Sequence, residues 1–243
     1  MTLPLVLVHG FLGGSDQWHL QKPLVRDRKL LALDLPGFGH QADQPALSRI
    51  EDYADWCLTE LTARGHAQFD LMGHSMGGMI VQEMVHRAPD RLNRLILYAT
   101  GATGDLPGRF EPIATSMDRA RSDGALATAR RIAATWFRDQ EAATEYAACA
   151  AIAEKASLQA ILAGLAAMQA WSGETRLKSI SCETLVFWGD CDRTYAWPQI
   201  EKLWREIPQS HLAVLPGCAH AVHLEKPDLF NQILAGFLDA ETP

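Results

Sequence analysis

The stretch Phe69-Asp70-Leu71-Met72-Gly73-His74-Ser75-Met76-Gly77-Gly78 decides how the whole 243-residue chain is read. A short apolar run ends in a serine flanked by glycines, and Met76 to Arg87 then reads as a helix. A tight strand-to-helix turn forces its central residue into strained φ/ψ and tolerates no side chains beside it, which is what the glycines supply. Ser75 is thereby raised above the strand, next to the oriented N–H groups and the positive dipole end of a helix start. A G-x-S-x-G placed between a strand and a helix marks a nucleophilic serine.

Outward from this turn, five similar runs recur: Leu3 to Val8, Lys29 to Leu35, Leu92 to Ala99, Thr184 to Trp188 and His211 to Leu215. They are apolar throughout rather than alternating, as strands are when helices cover both faces of a parallel sheet. Helix-like stretches lie between them, among them Ile50 to Ala63, Pro198 to Glu206 and Pro227 to Leu238. Strand and helix alternate, so the fold class is α/β with a mostly parallel sheet of about six strands.

The alternation stops between residues 101 and 178, an alanine-rich segment without a strand run. Ile152, Leu158, Ile161, Leu162, Leu165 and Met168, spaced mostly by three and four, predict one apolar helix face ending near Trp171. The expected organisation is a core in two parts, 1–100 and 179–243, with 101–178 a helical cap over the carboxyl edge of the sheet. No linker, internal repeat or low-complexity tract interrupts it.

At 48% hydrophobic and 21% charged residues, the chain has a globular make-up that excludes disorder, collagen and coiled coil. A formal net charge of −7, a pI near 5.7 and the lack of a basic run argue against nucleic acid or an anionic membrane surface as partner. No apolar run reaches the roughly 18 residues of a membrane helix, and the start at Met1 lacks a signal peptide's basic region and cleavage site, so a cytoplasmic protein is expected. The five cysteines, Cys57, Cys149, Cys182, Cys191 and Cys218, are scattered without a CxxC and read as reduced, small buried hydrophobes.

A serine hydroxyl is a poor nucleophile at neutral pH, so Ser75 needs a positioned base, and the base an orienting acid. Two later loops can supply them. Gly189-Asp190-Cys191-Asp192-Arg193 follows one strand run with two carboxylates, and Pro216-Gly217-Cys218-Ala219-His220-Ala221-Val222-His223 follows the next with two histidines. Loops at the carboxyl ends of parallel strands are where such sheets collect their sites.

With serine, aspartate and histidine in this order, the chain resembles the α/β-hydrolase family over nearly its whole length. The resemblance implies a Ser-Asp-His triad of Ser75, Asp192 and His220, with Asp190 as a turn carboxylate and His223 near the pocket rim. Ala219 stands where the family usually has glycine. The His9-Gly10-Phe11 sequence is similar to the family's oxyanion segment, so the N–H groups of Phe11 and Met76 are the expected oxyanion donors. The Phe11 side chain would then face the acyl pocket or pack on Trp18. His9 and His74 are read as loop-holding groups, and Asp34-Leu35-Pro36-Gly37-Phe38-Gly39 as a structural turn beside the oxyanion segment. The hairpin with which the family commonly opens is missing here, which leaves a sheet edge that a dimer could cover.

No G-x-G-x-x-G and no metal-ligand spacing occurs, so no cofactor and no metal are expected. The expected activity is hydrolysis of carboxylic esters or thioesters of small to medium hydrophobic acyl groups through an acyl-enzyme. The expected partner is a small molecule, with no nucleic acid or membrane, and the chain a monomer or homodimer. Phe11, Trp136, Leu162, Leu165, Met168, Trp171 and His223 are the candidate substrate-binding residues, and Phe137 is a further candidate pocket liner. Hydrolysis of lactones, or of the carbon–carbon bonds of vinylogous diketones, is also compatible with the triad, as is a ligand-receptor role with little turnover. Relatives of the carbon–carbon type tend to carry tryptophan after the base histidine, where this chain has Ala221. Epoxide- and halide-processing relatives use aspartate at the elbow, where this chain has Ser75.

Overall fold

The computed structural model describes residues 2–26, 28–104 and 106–240, and turns each of the six apolar runs into a strand. These are β1 (Leu5–Val8), β2 (Leu30–Leu33), β3 (Phe69–His74), β4 (Leu92–Tyr98), β5 (Glu183–Gly189) and β6 (Ser210–Leu215). They form one sheet in the order β2-β1-β3-β4-β5-β6, with every pairing parallel. The chain is therefore an α/β fold built on one parallel sheet. Met1 and residues 241–243, the outer ends of the two expected core segments, lie outside the described residues.

Why the strands are apolar throughout follows from where alternate residues go. Val6, Val8, Leu71, Leu95, Leu97 and Val186 join one core, while Leu5, Leu7, Met72, Ile96, Leu185 and Phe187 join the other. The first core is closed by α1 (Ile50–Ala63) and α2 (Met76–Arg87), and in α1 Ile50, Tyr53, Ala54, Cys57 and Leu61 sit mostly three or four apart on one buried face. The opposite core is closed by Trp18 and by the C-terminal helix that carries Phe230, Leu234 and Leu238.

Between β4 and β5 the chain is helical, as the segment 101–178 predicts. It contains α3 (Ile113–Ala134), bent where Gly124 takes φ +82°, then α4 (Tyr146–Ala153) and α5 (Leu158–Ala170). The single helix expected to carry Ile152 with Leu158 is two helices: Ile152 belongs to α4, which meets α5 at a 97° bend. The cause is local. The Ser157 hydroxyl accepts the Ala160 N–H at 3.1 Å and so caps a new helix start, a stronger signal than the apolar spacing across it. After β5 come α6 (Trp197–Glu206), the single turn α7 (Val222–Glu225) and α8 (Pro227–Asp239). Among the described helices, none is long and apolar enough on its own to cross a membrane.

β1 pairs with β2 on one side and β3 on the other, so the chain changes direction across the sheet between β1 and β3. In an open parallel sheet, that switch point splays the loops at the strand ends and opens a crevice. The two loops concerned are the one after Val8 and the turn at Ser75.

Candidate active site

Ser75 stands between β3 and α2 with φ 56° and ψ −120°, a conformation that costs a non-glycine residue of order 1–3 kcal/mol. Its neighbours hold it there. The Ser75 N–H donates to the Tyr98 carbonyl at 3.0 Å, and the Ser75 carbonyl accepts from the Thr100 hydroxyl and the Gly78 N–H, both at 2.8 Å. Two glycines are required by contact rather than by dihedral angle. A Cβ on Gly77 would lie 2.3 Å from the Val8 carbonyl oxygen, and one on Gly10 2.9 Å from the Ser75 Cβ. The loop after β1 therefore lies directly against the serine turn. Leu12 and Ala99, close after the ends of the adjacent strands, also take positive φ.

His220 and Asp192 come from the two loops that the sequence singles out. The His220 Nδ1 lies 2.8 Å from Asp192 Oδ2, and the two side chains are 2% and 0% exposed, so water does not compete for the contact. A carboxylate only accepts, which puts a proton on Nδ1 and leaves Nε2 as the basic nitrogen. The other carboxylate oxygen is held by the N–H groups of Thr194 at 2.7 Å and Tyr195 at 3.3 Å, so Asp192 has one orientation. The loop bearing His220 is held from several sides. Its carbonyl accepts from the Tyr98 hydroxyl at 3.1 Å, and the Ala221 N–H donates to the Trp136 carbonyl at 2.8 Å. Glu225 accepts the Ala219 N–H at 2.6 Å and the Arg138 N–H at 2.7 Å. Asp190 is exposed and accepts the Gly217 N–H, the turn carboxylate that the sequence suggests.

Ser75 and His220 line one cavity together with Phe11, Trp136, Met168 and Tyr195. It is narrow, about 20 Å³, and shares Leu106, Arg109 and Ile113 with a larger outer pocket of about 570 Å³. Met76 opens α2, where first-turn N–H groups have no acceptor within the helix. Phe11 packs edge-to-face on Phe38, ring centroids 5.9 Å apart, and not on Trp18, which lies in the opposite core.

Five expected residues, Leu162, Leu165, Trp171, His223 and Phe137, do not line the cavity that holds Ser75. Leu165 is fully buried in the main core and Leu162 packs partly buried against it; Met168, one turn on, is the part of that helix face that reaches the cavity. Trp171 is turned toward α2 and donates its indole N–H to Glu83 at 2.8 Å, because a buried carboxylate is the stronger claim on that donor. His223 points to the other side of the sheet, where its ring lies 4.5 Å from Trp18 and its Nδ1 2.9 Å from the Tyr98 hydroxyl. Burial holds its imidazole down at about 3, with the neighbouring His220 adding to the effect, so it is neutral. Phe137 is buried in the main core beside Trp136. Cys191 is exposed, unlike the buried thiol expected there, since its turn follows the end of β5.

His9 and His74 are loop-holding groups. The His9 Nδ1 faces the Gly10 carbonyl at 2.8 Å and must donate, while Nε2 accepts the Leu35 N–H at 3.0 Å. The His74 Nε2 donates to the His220 carbonyl at 3.1 Å. Burial lowers both imidazoles, that of His74 well below its ordinary value, and each stays neutral. Asp34 fixes the turn beside the loop that follows β1 by accepting the N–H groups of Ser15 at 2.9 Å and His40 at 3.1 Å.

The alpha/beta hydrolase family model matches residues 5–233. The chain belongs to this family. It is 27% identical over 242 residues to a protein described as a putative carbamate hydrolase from Agrobacterium fabrum, covering 97% of this chain and 93% of the relative. It is 26% identical over 243 residues to a pimeloyl-[acyl-carrier protein] methyl ester esterase from Aeromonas hydrophila, covering 96% and 94%. Among solved structures, a thermophilic esterase from Thermogutta terrifontis superposes with a TM-score of 0.86 at 27% identity, covering 98% of this chain and 90% of that one. As a member of the family, the chain is a hydrolase at the coarse level these relatives share.

Three residues of the site escape a reading of the sequence. Tyr98 has a weak signal, since a tyrosine in an otherwise apolar strand needs a partner for its hydroxyl. Tyr195 and Arg109 have none: each is a single residue in a loop whose path only the fold determines.

Proposed function

We propose that this hydrolase cleaves carboxylic esters through an acyl-enzyme on Ser75, with His220 as base and Asp192 as its orienting acid. The observation that carries the reading is the buried 2.8 Å contact between His220 Nδ1 and Asp192 Oδ2 beside the cavity that Ser75 lines. The His220 Nε2 takes the Ser75 proton as Oγ attacks the substrate carbonyl, and Asp192 stabilises the imidazolium that forms. The N–H groups of Phe11 and Met76 hold the oxyanion, the first on the loop that Gly10 lets lie against Ser75 and the second at the positive end of α2. The imidazolium returns its proton to the leaving alcohol or thiol. Water deprotonated by the same Nε2 then attacks the acyl-enzyme and releases the acid. In this reading residues 101–178 act as a cap, with Trp136 and Met168 the expected liners that border the cavity.

The test is hydrolysis of p-nitrophenyl esters from acetate to octanoate by the wild type and Ser75→Ala, with intact-protein mass spectrometry. The wild type should show an acyl adduct on Ser75, and the variant should lose activity by about 10⁴-fold or more while melting like the wild type. Residual hydrolysis by Ser75→Ala within about a hundredfold of the wild type would overturn the assignment.

A further inference from the structure

The cavity at Ser75 holds one charged group that the acyl-transfer mechanism does not use. Its walls are otherwise mainly apolar, yet Arg109 borders it, half-buried, at the residues where it meets the outer pocket. The guanidinium lies over the Phe110 ring, 4.1 Å from its centroid, and Nη1 donates to the Glu111 carbonyl at 2.6 Å and the Ser116 hydroxyl at 3.0 Å. Among the described residues, no carboxylate forms an ion pair with it. The nearby Glu111 carboxylate is engaged elsewhere, by Ser116 at 2.5 Å, Arg131 at 2.6 Å and Arg119 at 3.2 Å. Glu111 is thus taken up by Arg131 and Arg119, the latter also 3.7 Å from Asp123, and Arg109 borders the cavity without a carboxylate of its own. An arginine keeps its charge when it is desolvated, and burial without a counter-ion is costly.

A second observation points to a polar occupant of the same space. Tyr195 is fully buried, its ring stacked near-parallel on that of His220 at 5.8 Å, and its hydroxyl has no hydrogen-bond partner. The Ser75 and Thr100 side chains lie close to that hydroxyl without reaching hydrogen-bond geometry. Burial pushes the phenol up to about 12, so it is a protonated donor at neutral pH. Leaving a buried donor unmade carries a desolvation penalty, which a polar ligand in the cavity would offset.

We propose that Arg109 and the Tyr195 hydroxyl form a carboxylate-binding subsite in the Ser75 cavity, so that the substrate is a small ester that also carries a carboxylate. The ester part rests on the reading of Ser75 as nucleophile; the subsite itself does not. Because Arg109 borders both cavities, an anion entering from the outer pocket meets it before the carbonyl reaches Ser75.

The test compares monomethyl glutarate with its neutral analogue, the methyl ester of glutaric acid monoamide. A second pair, acetoxyacetate and its amide, places the charge on the alcohol side. The wild type should prefer the carboxylate member of one pair by about ten- to hundredfold in kcat/KM, the range a charge-assisted hydrogen bond carries. Arg109→Gln should bring that ratio to within about threefold of one, and Arg109→Lys, which keeps the charge without the fork, should retain part of it. Binding of the same esters to Ser75→Ala, followed by titration calorimetry, repeats the comparison without turnover. Carboxylate preference in binding without hydrolysis by the wild type would sink the ester reading and leave the subsite standing. Hydrolysis of both members at equal efficiency, or a preference that survives in folded Arg109→Gln, would overturn the subsite and leave the ester reading intact.

Discussion

Asp192→Asn changes one atom at the site, and its consequence can be worked from the hydrogen bonds around it. The N–H groups of Thr194 and Tyr195 donate to Oδ1, while Oδ2 faces His220 Nδ1 at 2.8 Å. An asparagine that turned its NH₂ toward the two backbone donors would leave both unpaired, at roughly 1–3 kcal/mol each. The amide therefore settles with its oxygen toward them, by about 2 kcal/mol or more, and presents NH₂ to His220. Nδ1 must then accept, the ring proton moves to Nε2, and the nitrogen that should take the Ser75 proton already carries one. With the negative charge beside the imidazolium also gone, kcat should fall by about 10⁴-fold, near 5.5 kcal/mol. The assay is steady-state hydrolysis of p-nitrophenyl acetate, alongside long-range ¹H–¹⁵N spectra that report the His220 tautomer. A variant within about tenfold of wild-type kcat, or one whose His220 still carries its proton on Nδ1, would refute the reasoning.

Two further predictions concern the frame around the site. Glu83 on α2 is buried and binds Trp171, Arg87 and Arg176, tying the end of the β4–β5 segment to the helix that Ser75 precedes. Burial pushes its carboxyl up, but the hydrogen bonds from Arg176, Trp171 and Arg87 outweigh this and hold it at about 2 against an ordinary 4.5. A depressed carboxylate contributes stability that is fully present above its unfolded value and lost as pH falls through the folded one. Glu83→Gln should thus cost about 2 kcal/mol above pH 4.5, after allowance for the solvent that reaches Arg87 and Arg176, and the gap should close towards pH 2. Urea unfolding of both proteins at about pH 7, 4.5 and 2.5 measures it; a gap that stays constant across that range argues against the linkage. Gly77→Ala places a Cβ 2.3 Å from the Val8 carbonyl oxygen and 2.6 Å from that of His9, both backbone atoms that cannot swing away. It should cost about 3 kcal/mol or more, and an unchanged urea midpoint would show slack in the turn that the contact distances deny.

Much of the architecture is legible in the chain because it rests on local patterns. The six apolar runs are six parallel strands, and the helix at Ile50–Ala63 has the ends its pattern predicts. The loops bearing Asp192 and His220 can be named because strand ends in such a sheet have few places to go. The segment between β4 and β5 is less legible. Its helices are rich in alanine and apolar on more than one side, so spacing alone does not say which side of α5 meets the core, and a serine cap splits the expected helix at Ser157. Trp171 and His223 depart from their expected places for a common reason. A large side chain with a polar atom turns toward whichever partner the fold brings near, Glu83 in one case and Tyr98 in the other.

The sequence by itself determined the strained serine turn, the six strand segments and the two loops whose carboxylates and histidines the proposed mechanism draws on, since each follows from residue type and spacing within a few positions. Only the tertiary structure decided which carboxylate meets His220, that Trp171 serves the frame and not the cavity, and that Arg109 and Tyr195 stand beside Ser75. Those contacts join residues far apart along the chain, and the free energy that selects them comes from burial and hydrogen bonding that exist only once the sheet, the loops and the helices between β4 and β5 are packed together.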